Sequence, residues 1–254
     1  MNLIPWEICS LEIDEDGARI GRYFQKQGLD IRRVFIEKSR LEQGAEGIGK
    51  EELAEIIESA IPAGRRVIAL CSDGSFHYLA YGLCKRAERI SRDLGYIQID
   101  HHADAADSDK TGLLCGNFAR AVLREKGEEN ALFVGNRYFP ERSITEEDLR
   151  ANGLHELERM LRHMPDNIYV TTELDVTAPE VARTAFSRGK FTRDELVAVL
   201  SCISANKNII SADIFGFTTR YCPYEEYEHI TPPSFEKTMA VYRDAIKALT
   251  GGGR

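Results

Sequence analysis

Apolar and polar positions along the chain follow two alternating rhythms. Short runs rich in β-branched residues recur at 31–37 (IRRVFIE), 65–72 (RRVIALCS), 95–100 (GYIQID), 131–137 (ALFVGNR), 167–175 (NIYVTTELD) and 208–215 (NIISADIF), and each has the length and composition of a strand. Between them, apolar residues return at helical spacing. In KEELAEIIESAI (50–61), Leu53, Ile56, Ile57 and Ala60 lie on one stripe, which predicts an amphipathic helix. TRDELVAVLSCISAN (192–206) predicts another, with Thr192 as N-cap and Glu195 at the capping-box position. Strands that alternate with helices pair in parallel, because a parallel connection needs a crossover that a helix supplies. The expected fold class is therefore α/β: a three-layer α/β/α sandwich around a mostly parallel sheet, with ligands gathered at the carboxyl ends of the strands.

Composition narrows this picture without redirecting it. A chain of 254 residues suits one α/β domain over 1–254, and its 43% hydrophobic and 29% charged residues describe a soluble globular protein. No apolar run approaches the roughly 18 to 20 residues needed to span a bilayer, and MNLIPWEICS has no basic segment leading into an apolar one. A cytoplasmic location and no membrane partner are expected. Cys9, Cys71, Cys84, Cys115, Cys202 and Cys222 show no CxxC spacing, so they read as reduced thiols. The net charge of −8 argues against a nucleic-acid partner and is compatible with a cationic substrate. The sequence leaves a homo-oligomer open.

Candidate chemistry concentrates where three of the strands should end. In YIQIDHHADAAD (96–107) the alternating run leads into Asp100, His102 and Asp104 at i, i+2, i+4, which in extended geometry would point all three side chains to one side. Like charges on one face repel and resist desolvation, so such a cluster asks for a cation. A solvated loop in which Asp104, Asp107 and Asp109 cap a turn is the alternative, and it leaves the alternate histidine unexplained. TTELDVTAP (171–179) repeats the pattern with Glu173 and Asp175, which would otherwise be solvated acids on an edge. SDGSFHYLAYG (72–82) places His77 at a loop-to-helix junction, where it turns inward as a ligand or serves as a capping or packing residue. Together these offer four carboxylates and two imidazoles, a set suited to Mn²⁺ or another divalent ion. Six ligands exceed what one ion with an open position uses, which points to two ions.

From about Arg65 to about Thr219 the chain resembles the ureohydrolase superfamily of arginases, agmatinases and relatives. The family's Asp-x-His-x-Asp motif is matched by Asp100, His102 and Asp104, and its Asp-x-Asp pair by Glu173 and Asp175, with Pro179 in register. GSFHYLAYG is similar to its Gly-Gly-Asp-His-Ser-Leu-Ala-x-Gly motif, and FVGNR, KFTRDEL and IISADIFGF resemble further family segments. The resemblance implies an arginase–deacetylase-like fold and a dimanganese centre. One ion would be held by His77, Asp100, Asp104 and Glu173, the other by Asp100, His102, Glu173 and Asp175, so that Asp100 and Glu173 bridge. It further implies catalytic roles for Asp104 and Glu195, with Glu195 binding the substrate guanidinium. The chain departs from the family at Glu173, which replaces an aspartate, and at Ala119, which replaces a histidine used for proton transfer.

The resemblance implies hydrolysis of a guanidino group. Beyond Asp104, the stretch AADSDKTGLL carries Ala106 and Leu113 where contacts to the charged ends of free arginine would fall. The expected substrate is therefore an arginine-containing peptide, converted to ornithine plus urea as in peptide arginases of ribosomal peptide natural-product pathways. Two alternatives keep the fold. One is a zinc-dependent deacetylase using Asp100, His102 and Asp175; the other is a catalytically silent peptide-binding relative.

Overall fold

The computed structural model describes residues 5–41, 46–106, 112–136, 142–186, 189–220 and 231–251. Asp107, Asp109, Arg137 and Cys222 lie outside the described residues. Among the described residues, eight strands and eight α-helices follow in the order β1 (Trp6–Glu12), α1 (Glu15–Lys26), β2 (Ile31–Phe35), α2 (Lys50–Ala60), β3 (Arg66–Leu70), α3 (Leu79–Glu88), β4 (Gly95–Ile99) and α4 (Phe118–Lys126). The chain continues with β5 (Ala131–Val134), β6 (Ser143–Ile144), α5 (Glu146–Asn152), α6 (His155–Leu161), β7 (Asn167–Glu173), α7 (Arg193–Asn206), β8 (Asn208–Phe215) and α8 (Phe235–Leu249). Six strands fall on the six apolar runs, most of them a residue or more shorter than expected. β4 gives way to its loop at Asp100 and β5 at Gly135.

All strands pair in parallel, in the order β2-β1-β3-β8-β7-β4-β5-β6. Successive side chains alternate between the two faces. Val67, Ala69, Tyr96, Phe133, Tyr169 and Phe215 pack with Leu53 and Ile56 of α2, Leu79 and Leu83 of α3, and Phe118 and Val122 of α4. Ile68, Ile97, Ile99, Val170, Ala212 and Ile214 pack with residues of α1, α6, α7 and α8. This is the three-layer sandwich that the alternation predicts. The two helices read from the sequence form as α2 and α7, and Thr192 and Glu195 complete both arms of the α7 capping box.

Register sets an unusual row on the first face. Gln98 of β4 stands beside Thr171 of β7, and Thr171 beside Asp213 of β8. All three are fully buried. Among the described residues, no helix is long and apolar enough to cross a membrane. Cys9, Cys71, Cys84 and Cys202 are buried free thiols, while Cys115 is a free thiol at the surface.

Candidate metal centre

Three loops at the carboxyl ends of β3, β4 and β7 carry the candidate ligands. Beyond β3, the Asp73 carboxylate accepts from the Ser75 amide at 2.8 Å and opens a 3-10 turn, Gly74–Phe76, that delivers His77 to the start of α3. A Cβ on Gly74 would lie 1.7 Å from Glu173 Oε1, so this turn closes on Glu173 only because the side chain is absent. Beyond β4 the extended run expected through Asp104 does not form. The backbone turns instead, and Asp104 has a left-handed φ of 48°. The turn is pinned from within: the His102 amide donates to Asp100 Oδ1 at 2.7 Å, and Asn136 Nδ2 donates to the carbonyls of Asp100 and His102, each at 3.2 Å. Asp175 likewise reaches the centre through a 3-10 turn, Leu174–Val176, and not by strand alternation from Glu173. In both loops the spacing matched, but the geometry behind the convergence is a turn.

The six expected ligands converge in two overlapping groups. His77, Asp100, Asp104 and Glu173 form one, and Asp100, His102 and Asp175 the other; within each, one ligand atom per residue lies within 4.8 Å of the others. His77 Nδ1 is 2.8 Å from Glu173 Oε2, 3.1 Å from Asp104 Oδ2 and 3.2 Å from Asp100 Oδ2. His102 Nδ1 is 2.8 Å from Asp175 Oδ2 and 3.8 Å from Asp100 Oδ1. Asp100 belongs to both groups. Glu173, expected to bridge as well, faces His77 and belongs to the first group among the described residues.

Glu195 stands apart from these groups. Its oxygens lie 2.7 Å from Arg150 Nε and 3.0 Å from Arg150 Nη2, and its Oε2 accepts from the Thr192 amide at 2.8 Å. The Arg150 hydrogen bonds, aided by the Thr192 amide, hold its carboxyl down at about 2. Ala119 is fully buried on α4 and donates its amide to the Asp104 carbonyl at 3.0 Å. Its side chain has no acid–base group.

The electrostatics of the cluster are those of a charge excess. Burial, reinforced by Asp100, pushes Asp104 up to about 8. Glu173 is raised by burial and by Asp100, and Asp175 is raised further by burial, Glu173 and Asp100. Burial opposes ionisation of Asp100, yet hydrogen bonding and charge from His77 hold it below its ordinary value. Burial would push His77 down, but the carboxylates of Asp100, Asp104 and Glu173 outweigh it and hold the imidazole well above its usual range. Without a cation, the group limits its mutual repulsion by retaining protons. A divalent ion removes the same repulsion with the ligands deprotonated, and the oxygen-rich donor set with two imidazoles suits such an ion. The residues fit the pair of ions that the resemblance implies.

Several buried polar side chains beneath the ligands were not anticipated. Gln98 Nε2 donates to Asp100 Oδ2 at 2.9 Å and its Oε1 accepts from the Tyr96 hydroxyl at 2.8 Å, while Thr171, Tyr169 and Asp213 form a second chain below His77. The available signal was a glutamine and an aspartate inside otherwise apolar strand runs.

Fold and cluster together describe an α/β protein with a carboxylate–imidazole centre at its sheet edge, able to hold divalent cations. The chain belongs to the Arginase family, whose model matches residues 29–227. It is 26% identical over 203 residues to an uncharacterized protein of Thermotoga maritima, covering 77% of this chain and 76% of that protein. The same fold occurs in the arginase of Bacillus caldovelox, with a TM-score of 0.68 at 14% identity over 98% of this chain and 99% of that one. Formimidoylglutamase from Bacillus subtilis gives 0.71 at 15% identity over 99% and 88%. A hypothetical agmatinase from Burkholderia thailandensis gives 0.71 at 16% identity over 97% and 85%. Hydrolases of this family act on the C–N bonds of amidines.

Proposed function

We propose that this chain is a dimanganese hydrolase of guanidino groups and that it converts arginine side chains of a peptide into ornithine, with release of urea. The observation that carries the reading is the pair of overlapping ligand groups sharing Asp100. His77, Asp100, Asp104 and Glu173 would hold one ion, and Asp100, His102 and Asp175 the other. Two bound divalent ions supply Lewis acidity and a water of lowered pKa at neutral pH. The protein's own contribution is to hold these ligands in place and to handle protons. Asp104 is suited to moving protons, because its side chain is 12% exposed, whereas that of Asp100 is fully enclosed, and no histidine stands at position 119 to take the role.

Support for a peptide substrate comes from what surrounds the centre. Ala106 is exposed, and Leu113 is buried and paired through its backbone with Ile48, so neither offers a polar partner to the ammonium or carboxylate of free arginine. Leaving such charges desolvated without partners costs several kcal/mol. A cavity of about 500 Å³ opens at the same sheet edge, lined among others by Asp14, Asp16, Asp73, Lys38, Phe76 and Arg220. Its mixed charge and aromatic surface suit the flanking residues of a peptide.

The test is to incubate the manganese-loaded protein with arginyl peptides and with free arginine. The expected result is a mass loss equal to cyanamide in the peptide, matched by urea, and little turnover of free L-arginine or agmatine. Efficient urea release from free arginine with unchanged peptides would overturn the peptide reading. One zinc ion per chain with release of acyl groups would replace it by the deacetylase.

A further inference from the structure

The middle of a parallel sheet, covered on both faces, is ordinarily apolar. Beneath this centre it is not: Tyr169, Thr171 and Asp213 are fully buried on adjoining strands, directly below His77. His77 Nε2 lies 2.8 Å from Thr171 Oγ1, which lies 2.5 Å from Asp213 Oδ1, and Asp213 Oδ2 accepts from the Tyr169 hydroxyl. The direction of each hydrogen bond follows from counting protons. Asp213 meets the two hydroxyls on its two separate oxygens, an arrangement in which a carboxylate, an acceptor only, takes a proton-bearing contact from each. The single hydroxyl proton of Thr171 is thereby committed to Asp213. Thr171 must then accept from His77, which places a ring proton on Nε2 and turns Nδ1 toward Glu173, Asp104 and Asp100, where a cation takes the place of the Nδ1 proton.

We infer that Thr171 and Asp213 are positioning residues that lock His77 with its proton on Nε2 and its Nδ1 aimed between the three carboxylates, and so set the cation affinity of the first ligand group. The inference rests on the reading of His77 as a metal ligand. Neither residue touches cation or substrate; both act through the imidazole, as partners of metal-bound histidines commonly do. The second group is built differently. His102 has 41% of its side chain exposed, and its Nδ1 meets Asp175. Support is thus unequal between the two groups, and loss of the Thr171 hydroxyl falls on one of them.

The decisive variant is Thr171→Val, which keeps the β-branched shape in the strand while removing both donor and acceptor. Manganese affinity is measured by competition with a chelator in two backgrounds. With His102→Ala, where the first group alone binds, Thr171→Val is expected to weaken Mn²⁺ about 10- to 100-fold, and Thr171→Ser to restore it. With His77→Ala, the same change is expected to do nothing. Equal weakening in both backgrounds, or less than about twofold in the first, would overturn the inference. A second measurement needs no variant to fold. In the ¹⁵N-histidine-labelled chain, with or without a diamagnetic divalent ion, His77 should show a slowly exchanging proton on Nε2; a proton confined to Nδ1 would overturn the inference. If the chain takes up no Mn²⁺ at all, the proposed function fails, while the ring-proton measurement still decides the role of Thr171.

Discussion

His77 and His102 offer the same imidazole to the same shared carboxylate, Asp100, from two sides of the centre. His77 has no exposed surface: Gly74 closes its turn against Glu173, Phe118 and Phe215 lie 4.7 and 5.0 Å from its ring, and Thr171 holds its far nitrogen. His102 stands half-exposed on a turn held by backbone contacts to Asn136 and Gln98. Identical donors are therefore set in a rigid frame on one side and left accessible on the other. A ligand whose rotamer is already fixed loses less freedom when a cation arrives. The enclosed group should bind more tightly, and the open one should exchange its ion and admit substrate.

Removing the shared ligand abolishes the comparison altogether. Asp100 faces both histidines, so Asp100→Ala takes an oxygen from each group and should lower the affinity for both ions about 100-fold or more. Metal content by elemental analysis after dialysis should approach zero. Two ions retained in this variant would end the case for a common bridging carboxylate.

Removing His102 sharpens the comparison. His102→Ala leaves His77, Asp100, Asp104 and Glu173 in place, so one ion should remain and one should be lost, together with most hydrolysis. Retention of both ions would show that the open group is not a metal site. His77→Ala is expected to be the more damaging change, since it also leaves three facing carboxylates without their imidazole.

Proton occupancy supplies a third test, with a smaller effect spread over several groups. Asp104 is raised to about 8, Glu173 and Asp175 lie above the usual carboxylate range, and His77 lies above the usual imidazole range. A group whose folded pKa exceeds its unfolded value holds its proton more tightly when folded, so its contribution is complete at low pH and lost as pH rises through the folded value. Asp100, which is lowered, runs the other way. The balance predicts that the metal-free chain melts at a higher temperature near pH 5.5 than near pH 8.5, and that the gain in Tm on adding Mn²⁺ grows over that interval. A metal-free Tm that climbs steadily over the same range would contradict the charge excess.

The ligands were legible in the sequence because their chemistry is local. Asp100, His102 and Asp104 sit within five positions, and few other arrangements explain two acids and an imidazole at alternate places after an apolar run. Their support was not legible, for a physical reason. Gln98, Thr171 and Asp213 come from three strands far apart in the chain and meet only through register, and a slip of one residue would turn any of them to the opposite face. Strand alternation was also the wrong device for Asp104 and Asp175, which arrive through turns. β1 mixes charged and apolar residues, and β6 has two residues, so neither stood out as an apolar run.

Glu195 carries the smallest expected effect, and it separates a helix cap from a substrate contact. The resemblance assigns its carboxylate to a guanidinium, and the structure gives it one, that of Arg150. The same side chain closes the α7 capping box through Thr192. To meet a substrate, the carboxylate would have to leave both partners. Glu195→Gln keeps an oxygen for the cap and removes the charge that pairs with Arg150, at a site 30% exposed where such a pair contributes about 0.5–1 kcal/mol. Thermal melting should therefore fall by about 1–4 °C. Manganese content should not change, and turnover should stay within about threefold, as expected for a change worth less than 1 kcal/mol at the centre. An unaltered Tm with most turnover lost would return Glu195 to the substrate, and would require Arg150 to swing away when an arginyl side chain enters.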